Sequence, residues 1–191
     1  MDKIICLVGA SGSGKTTIAK ELEGRGYNII HSYTTRQERE PGEWGHIFIN
    51  NWFRVEVKDT LVGFENGLHP DSKDYKYIDI DDMIAYFKNY NAEYFATREQ
   101  YQGKGTSIYV IDPKGAEEVK DNVKDVEVVT IFLMADMTSR FPRLRRRGED
   151  GDTIIDRIEL DEDIFRSCKC DYVVDANRDI EEVLKYILEL I

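Results

Sequence analysis

The sequence predicts an α/β fold with a parallel core sheet flanked by helices. Three observations carry that reading. Apolar strand-like runs alternate with helical patterns along most of the chain. Those runs are nearly continuous in apolar residues, as strands buried on both faces require. After the first run comes Gly9-Ala10-Ser11-Gly12-Ser13-Gly14-Lys15-Thr16-Thr17, a G-x-x-x-x-G-K-[ST] loop between strand and helix.

The first strand is Ile4-Ile5-Cys6-Leu7-Val8, and the helix opened by the loop shows Ile18, Ala19 and Leu22 on one face. In such a loop the glycines let successive backbone N–H groups converge on phosphate oxygens. Lys15 adds a positive charge, Thr16 offers a hydroxyl to Mg²⁺, and the helix N-terminus favours anions. The alternative is a Gly/Ser-rich turn, which explains neither the lysine nor the context.

Gly24 and Gly26 then punctuate the chain, and Tyr27-Asn28-Ile29-Ile30 reads as the second strand. Further core strands are expected at Thr106–Ile111, Val126–Leu133 and Tyr172–Val174. The last helix carries Ile180, Val183, Leu184, Ile187, Leu188 and Ile191 at helical spacing, with Asp179 and Glu182 placed as a capping box. Between residues 34 and 91 the alternation breaks. Short strand-like pieces are expected at His46–Ile49, Trp52–Val57 and Leu61–Glu65, with Lys58-Asp59-Thr60 turning the last two into a hairpin. A polar loop from Gly67 to Lys76 and a helix from Asp81 to about Tyr90 follow. One domain of 191 residues is expected, with core 1–33 and 92–191 and an inserted subdomain at about 34–91.

Composition bounds the function. Net charge is −11 and the isoelectric point about 4.8, which argues against a nucleic-acid face but not against a local basic pocket for small anions. No apolar stretch approaches membrane-spanning length. The start, Met1-Asp2-Lys3-Ile4, enters the first strand at once and leaves no room for a signal peptide. Three cysteines suit a reducing compartment, so a cytoplasmic protein is expected. Cys6 reads as core, and Cys168 and Cys170 form only C-x-C.

Two arginine clusters stand out against that acidity. Ser32-Tyr33-Thr34-Thr35-Arg36-Gln37-Glu38-Arg39 follows the second strand, at the carboxyl edge where parallel sheets place ligands. Arg36 and Arg39 suit a bidentate grip on a phosphate monoester, or form a solvated charged loop. The second cluster, Arg140 to Gly148, precedes an acidic loop and a helix carrying Arg157. Arginines brought in by closure can neutralise a transferring phosphoryl group, which makes 140–157 a candidate lid. Arg143 and Arg147 share a helical face, while Arg145 and Arg146 point elsewhere, so Arg143, Arg147 and Arg157 are the candidates. Asp112, at a strand end before Pro113, reads equally as a ligand or as a helix N-cap. Thr97 reads the same two ways, because Thr97 and Gln100 make a capping box.

These motifs occur in an order that resembles the guanylate kinase family: the phosphate loop, Thr34-Thr35-Arg36-x-x-Arg39 with Pro41-Gly42-Glu43, Tyr94-Phe95-Ala96-Thr97, Ile111-Asp112-x-x-Gly115, and Arg143 to Gly148. The resemblance runs nearly end to end, except for Trp52 to Tyr86. It implies a P-loop kinase core, an inserted nucleoside-monophosphate-binding subdomain and a mobile, arginine-rich lid. It also implies ATP and Mg²⁺ as cofactors, Ser32, Arg36 and Arg39 on the acceptor phosphate, and Thr97 and Asp112 on the base. His46 and Phe95 stand where the family places two phosphate-binding tyrosines, with Tyr94 adjacent.

The departures lie at the base. Val110 replaces the first aspartate of the family's Asp-x-Asp, and Ala85 or Tyr86 stands where a base-reading glutamate is expected. Guanine has N–H donors that call for carboxylate acceptors. The expected reaction is therefore γ-phosphoryl transfer from ATP to GMP or a related monophosphate, with a weakened GMP preference or a replacement carboxylate from Glu56 or Glu65. The rivals are a sugar-phosphate kinase similar to ribose bisphosphate kinases and a non-catalytic guanylate-kinase-like interaction module. Small-molecule nucleotides are the expected partners, with the chain a monomer or homodimer.

Overall fold

The computed structural model describes residues 1–49, 51–55, 60–64, 75–88, 92–165 and 168–191. The core is a five-stranded parallel sheet made of β1 (Lys3–Val8), β2 (Asn28–Ile30), β10 (Thr106–Val110), β11 (Glu127–Met134) and β12 (Tyr172–Asp175), in the order β12-β11-β1-β10-β2. Central β1 shows why its residues are apolar without alternation. Ile5 and Leu7 pack on one face with Ile18, Ala19 and Leu22 of α1 (Lys15–Gly24) and Val183, Leu184 and Ile187 of α5 (Ile180–Leu190). Ile4, Cys6 and Val8 pack on the other with Ala116 and Val119 of α2 (Pro113–Asn122). Both faces are covered, so Ile4 to Val8 are apolar without alternation.

Caps set the helix starts. Asp112 accepts from Gly115 N–H at 2.8 Å to begin α2, with Pro113 in the first turn. Asp136 accepts from Ser139 N–H at 2.9 Å to begin α3 (Met137–Arg146). Asp179 accepts from Glu181 N–H at 3.0 Å to begin α5. The intervening helix is α4 (Gly151–Phe165).

The segment between β2 and β10 forms two further sheets. One has the order β4-β3-β9-β8, from β3 (Ser32–Thr34), β4 (His46–Phe48), β8 (Met83–Lys88) and β9 (Glu93–Thr97). The other is antiparallel, β5 (Asn51–Val55), β6 (Thr60–Phe64) and β7 (Tyr75–Asp79). The expected hairpin is thus formed by β5 and β6, while its turn lies outside the described residues. The first of these sheets reaches past residues 34–91 at both ends, through β3 and β9.

One expectation is corrected. Where a helix is expected from Asp81 to about Tyr90, the described residues 81–88 form no α-helix: a single 3₁₀ turn, Ile80–Asp82, leads into β8, which pairs antiparallel with β9. Asp79 accepts from Asp81 N–H and caps only that turn. The register shifts between Met83 and Ala85, so consecutive Ile84 and Ala85 are both buried. A bulge of this kind erases the period of two that marks a strand.

Candidate active site

The phosphate loop leaves β1 and enters α1. Gly14, the N-cap of α1, has φ +101°, a conformation that glycine adopts without a Cβ penalty. At Gly9 a Cβ would meet the Leu133 carbonyl oxygen at 2.7 Å, so only glycine lets the loop lie against β11. The Ser13 Oγ is buried with no hydrogen-bond partner among the described residues. An orphaned hydroxyl in a loop of N–H groups suits a polyphosphate that would complete it.

The loop stands between two cavities. The smaller, about 320 Å³, touches Gly12, Ser13, Gly14 and Thr17 on the loop side and Arg143, Arg146, Arg147 and Arg178 opposite. The larger, about 490 Å³, touches Gly9, Ser11 and Lys15 and continues to Ser32, Arg39, His46 and Tyr94. Ala85, Tyr86, Phe87, Val110, Asp112 and Glu118 complete its lining. It therefore brings the basic Lys15 and Arg39 together with the carboxylates of Asp112, Glu118 and Asp161. Ala10 and Thr16 line neither cavity.

Lys15 folds back on its own loop, donating to the Gly9 carbonyl at 2.5 Å and the Ala10 carbonyl at 3.1 Å. Burial pulls its pKa down to about 8, against the opposing pull of nearby Asp161. Asp161, from α4, is buried at the loop: it accepts from Ser11 N–H at 2.8 Å and pairs with Arg140 of α3. Arg140 also donates to the Ser11 carbonyl at 2.8 Å. One buried ion pair thus ties the loop to both arms of the arginine-rich segment.

Arg36 and Arg39 share one partner. Arg36 donates to both oxygens of Glu43 and lies over the Phe48 ring, with 5.3 Å from its guanidinium carbon to the ring centroid. Its buried Nε has no partner among the described residues. The Arg39 N–H also donates to Glu43. Arg36 does not itself line the cavity; Arg39 does. His46 is half-buried there, and burial together with Arg36 holds its pKa down to about 4, so it is neutral at pH 7. Ser32 hydrogen-bonds the buried Tyr109 hydroxyl at 2.9 Å.

In the arginine-rich segment, Arg143 donates to the carbonyls of Gly12 and Ala176, and Arg147 lines the smaller cavity. Arg157 pairs with Glu149 at 3.0 Å and lines neither cavity. Thr97 is buried, off the cavity, in its capping box with Gln100. Asp112 caps α2, as one of its two readings expects, and its side chain also lines the larger cavity.

Sequence reasoning missed Arg140, Asp161, Arg146, Arg178 and Glu118. Asp161 and Glu118 sit on helices as ordinary charged positions, and nothing local marks them as facing a cavity. Glu56 and Glu65 lie outside the described residues. Among the described residues no group of three or more His, Cys, Asp or Glu side chains could hold a metal. A Mg²⁺ ion would thus depend on the Thr16 hydroxyl and on phosphate oxygens, a donor set that suits it. No described helix is long and apolar enough to cross a membrane.

The family described as AAA domain matches residues 5–166. A guanylate kinase of Prochlorococcus marinus subsp. pastoris is 28% identical over 199 residues, covering 100% of this chain and 97% of that protein. A guanylate kinase of Wolbachia pipientis is 28% identical over 191 residues, covering 94% and 86%. The crystal structure of guanylate kinase from Anaplasma phagocytophilum superposes with a TM-score of 0.57 at 22% identity, covering 99% of this chain and 84% of that one. The resemblance read from the sequence and the α/β fold it implied are both borne out.

Proposed function

The chain belongs to the AAA domain family, and from that premise we propose that it is an ATP- and Mg²⁺-dependent nucleoside monophosphate kinase of the guanylate kinase type. The observation that carries this reading is the phosphate loop set between two cavities of opposite use. The smaller cavity, walled by four arginines, takes the donor nucleotide. The larger takes the acceptor, its phosphate towards Arg39, His46, Ser32 and Tyr94 and its base towards Asp112. Arg36 supports the same end. Thr16 would hold a Mg²⁺ ion, which would neutralise charge at the transferring phosphate. Lys15 leaves its loop carbonyls to serve the phosphates, and Arg143, Arg147 and Arg157 close over them. Catalysis of this kind is positioning and electrostatics and needs no dedicated base. The division into a core, an acceptor subdomain and a lid follows the same reading, as does a cytoplasmic location.

A bisphosphorylated sugar suits the larger cavity poorly. Its second phosphate would face Asp112 and Glu118, whose carboxylates repel it. The test is ADP formation measured with GMP, dGMP, AMP, CMP and ribose bisphosphate at matched concentrations. Turnover of a nucleoside monophosphate and not of the sugar phosphate is the expected result. Turnover of ribose bisphosphate alone would replace this reading, and ATP binding with no transfer to any acceptor would make the chain a binding module.

A further inference from the structure

Ala85 of β8 lines the larger cavity with a methyl group where a base-reading side chain would be needed. A carboxylate reaches the same cavity from a different element. Glu118, on α2, lines the cavity, and its Oε2 accepts the N–H of Tyr86, the residue after Ala85, at 3.1 Å. That bond fixes the carboxylate on the wall. Its Oε1 makes no hydrogen bond among the described residues. Asp112 repeats the arrangement: one oxygen caps α2 through Gly115 N–H, and the side chain lines the cavity. Around them the wall is apolar and aromatic, from Tyr86, Phe87 and Val110.

An ionised carboxylate accepts hydrogen bonds and cannot donate them. Two of them, pre-positioned by backbone N–H groups in a largely apolar wall, select a base edge that shows N–H donors side by side. They penalise one that shows a carbonyl, because two acceptors then face each other. Resting on the kinase reading above, we propose that Glu118 is a specificity-determining residue that reads the exocyclic amino group of a 2-aminopurine monophosphate, taking over from α2 the task that Ala85 cannot perform from β8. The two carboxylates then bind a purine with donors at positions 1 and 2, and Arg39 in the same cavity faces its phosphate.

The test is a change of specificity, because a loss of activity alone would not separate recognition from packing. Steady-state kinetics of the full chain with GMP and with xanthosine monophosphate, which carries a carbonyl in place of the 2-amino group, are compared for wild type, Glu118→Gln and Glu118→Ala. Wild type is expected to favour GMP strongly. The amide of Glu118→Gln can donate to the xanthine carbonyl, so its GMP efficiency should fall about 10- to 100-fold through KM while xanthosine monophosphate improves. The KM for ATP should stay put. Glu118→Ala should lose the preference without gaining the new acceptor. A ratio of the two efficiencies that is unchanged in both variants, with GMP still phosphorylated, overturns this inference alone. Failure of wild type to phosphorylate any nucleoside monophosphate overturns the kinase reading beneath it.

Discussion

Arg36 gives both of its terminal nitrogens to Glu43, at 2.7 and 2.9 Å, and the same carboxylate also takes the backbone N–H of Arg39 at 2.9 Å. Glu43 is thereby the hub of the loop between β3 and β4. Hydrogen bonds from Arg36 push its pKa down to about 2. Its charged form is favoured by folding, so its contribution is present above the ordinary carboxylate range and is lost only as the pH falls towards 2. On the proposed function, Arg36→Ala and Glu43→Ala should each raise the acceptor KM about 10- to 100-fold, the cost of a charge-assisted hydrogen bond. The ATP KM should change far less. An acceptor KM indifferent to both changes would make the pair a surface tie only.

Lys15 is a base whose pKa is lowered by burial from its ordinary value of 10.5 to about 8. Burying its charge opposes folding fully below pH 8, and the penalty is relieved as the pH rises from 8 towards 10.5. A bound polyphosphate restores the charge. ATP binding at pH 8.5 (an assay condition chosen at roughly this titration range) should therefore take up protons, and at lower pH should take up almost none. Calorimetry in buffers of different ionisation enthalpy reads this directly. Lys15→Met should abolish both the proton uptake and phosphoryl transfer while keeping the fold. A Lys15→Met variant with near-normal turnover would refute the role of the loop.

Asp161→Ala should destabilise the fold by about 3–5 kcal/mol, because it leaves buried Arg140 without its charge partner. Replacing both, as Arg140→Met with Asp161→Leu, should recover much of that stability in a urea melt, since a buried pair contributes little net stability over apolar packing. Catalysis should not recover with it, because Asp161 also holds the Ser11 N–H of the phosphate loop. Full recovery of turnover in the double variant would show that the pair only fills space.

Arg143 and Arg147 sit on one wall of the smaller cavity but in different states. Arg143 already spends its guanidinium on the carbonyls of Gly12 and Ala176, whereas Arg147 is exposed at the end of α3. Arg147→Ala should lower kcat more than ATP affinity, the signature of a contact that strengthens in the transition state. Arg143→Ala should lower both, because it also loosens the loop. Titration of ATP binding beside single-turnover rates separates the two.

Much of this was legible in the sequence because it rests on local rules. The phosphate loop needs its glycines, lysine and threonine at fixed spacing. The core strands announce themselves by unbroken apolarity, and Asp112, Asp136 and Asp179 cap helices through N–H groups two or three residues away. The one helix expected and not found, from Asp81 to about Tyr90, failed for a local reason as well: the bulge in β8 puts Ile84 and Ala85 on the same side.

The sequence by itself determined the class of fold and the place of the phosphate loop, since both follow from periodicities and motifs a few residues long. Only the tertiary structure decided what surrounds the loop. Arg140 meets Asp161 across 21 residues, Asp161 meets Ser11 across 150, and Glu118 meets Tyr86 across 32. Such contacts leave no period in the chain, because a lone charge on a helix looks the same whether it faces water or a cavity. The packing of α2 against β8 and of α3 and α4 over the loop turns those charges into a site.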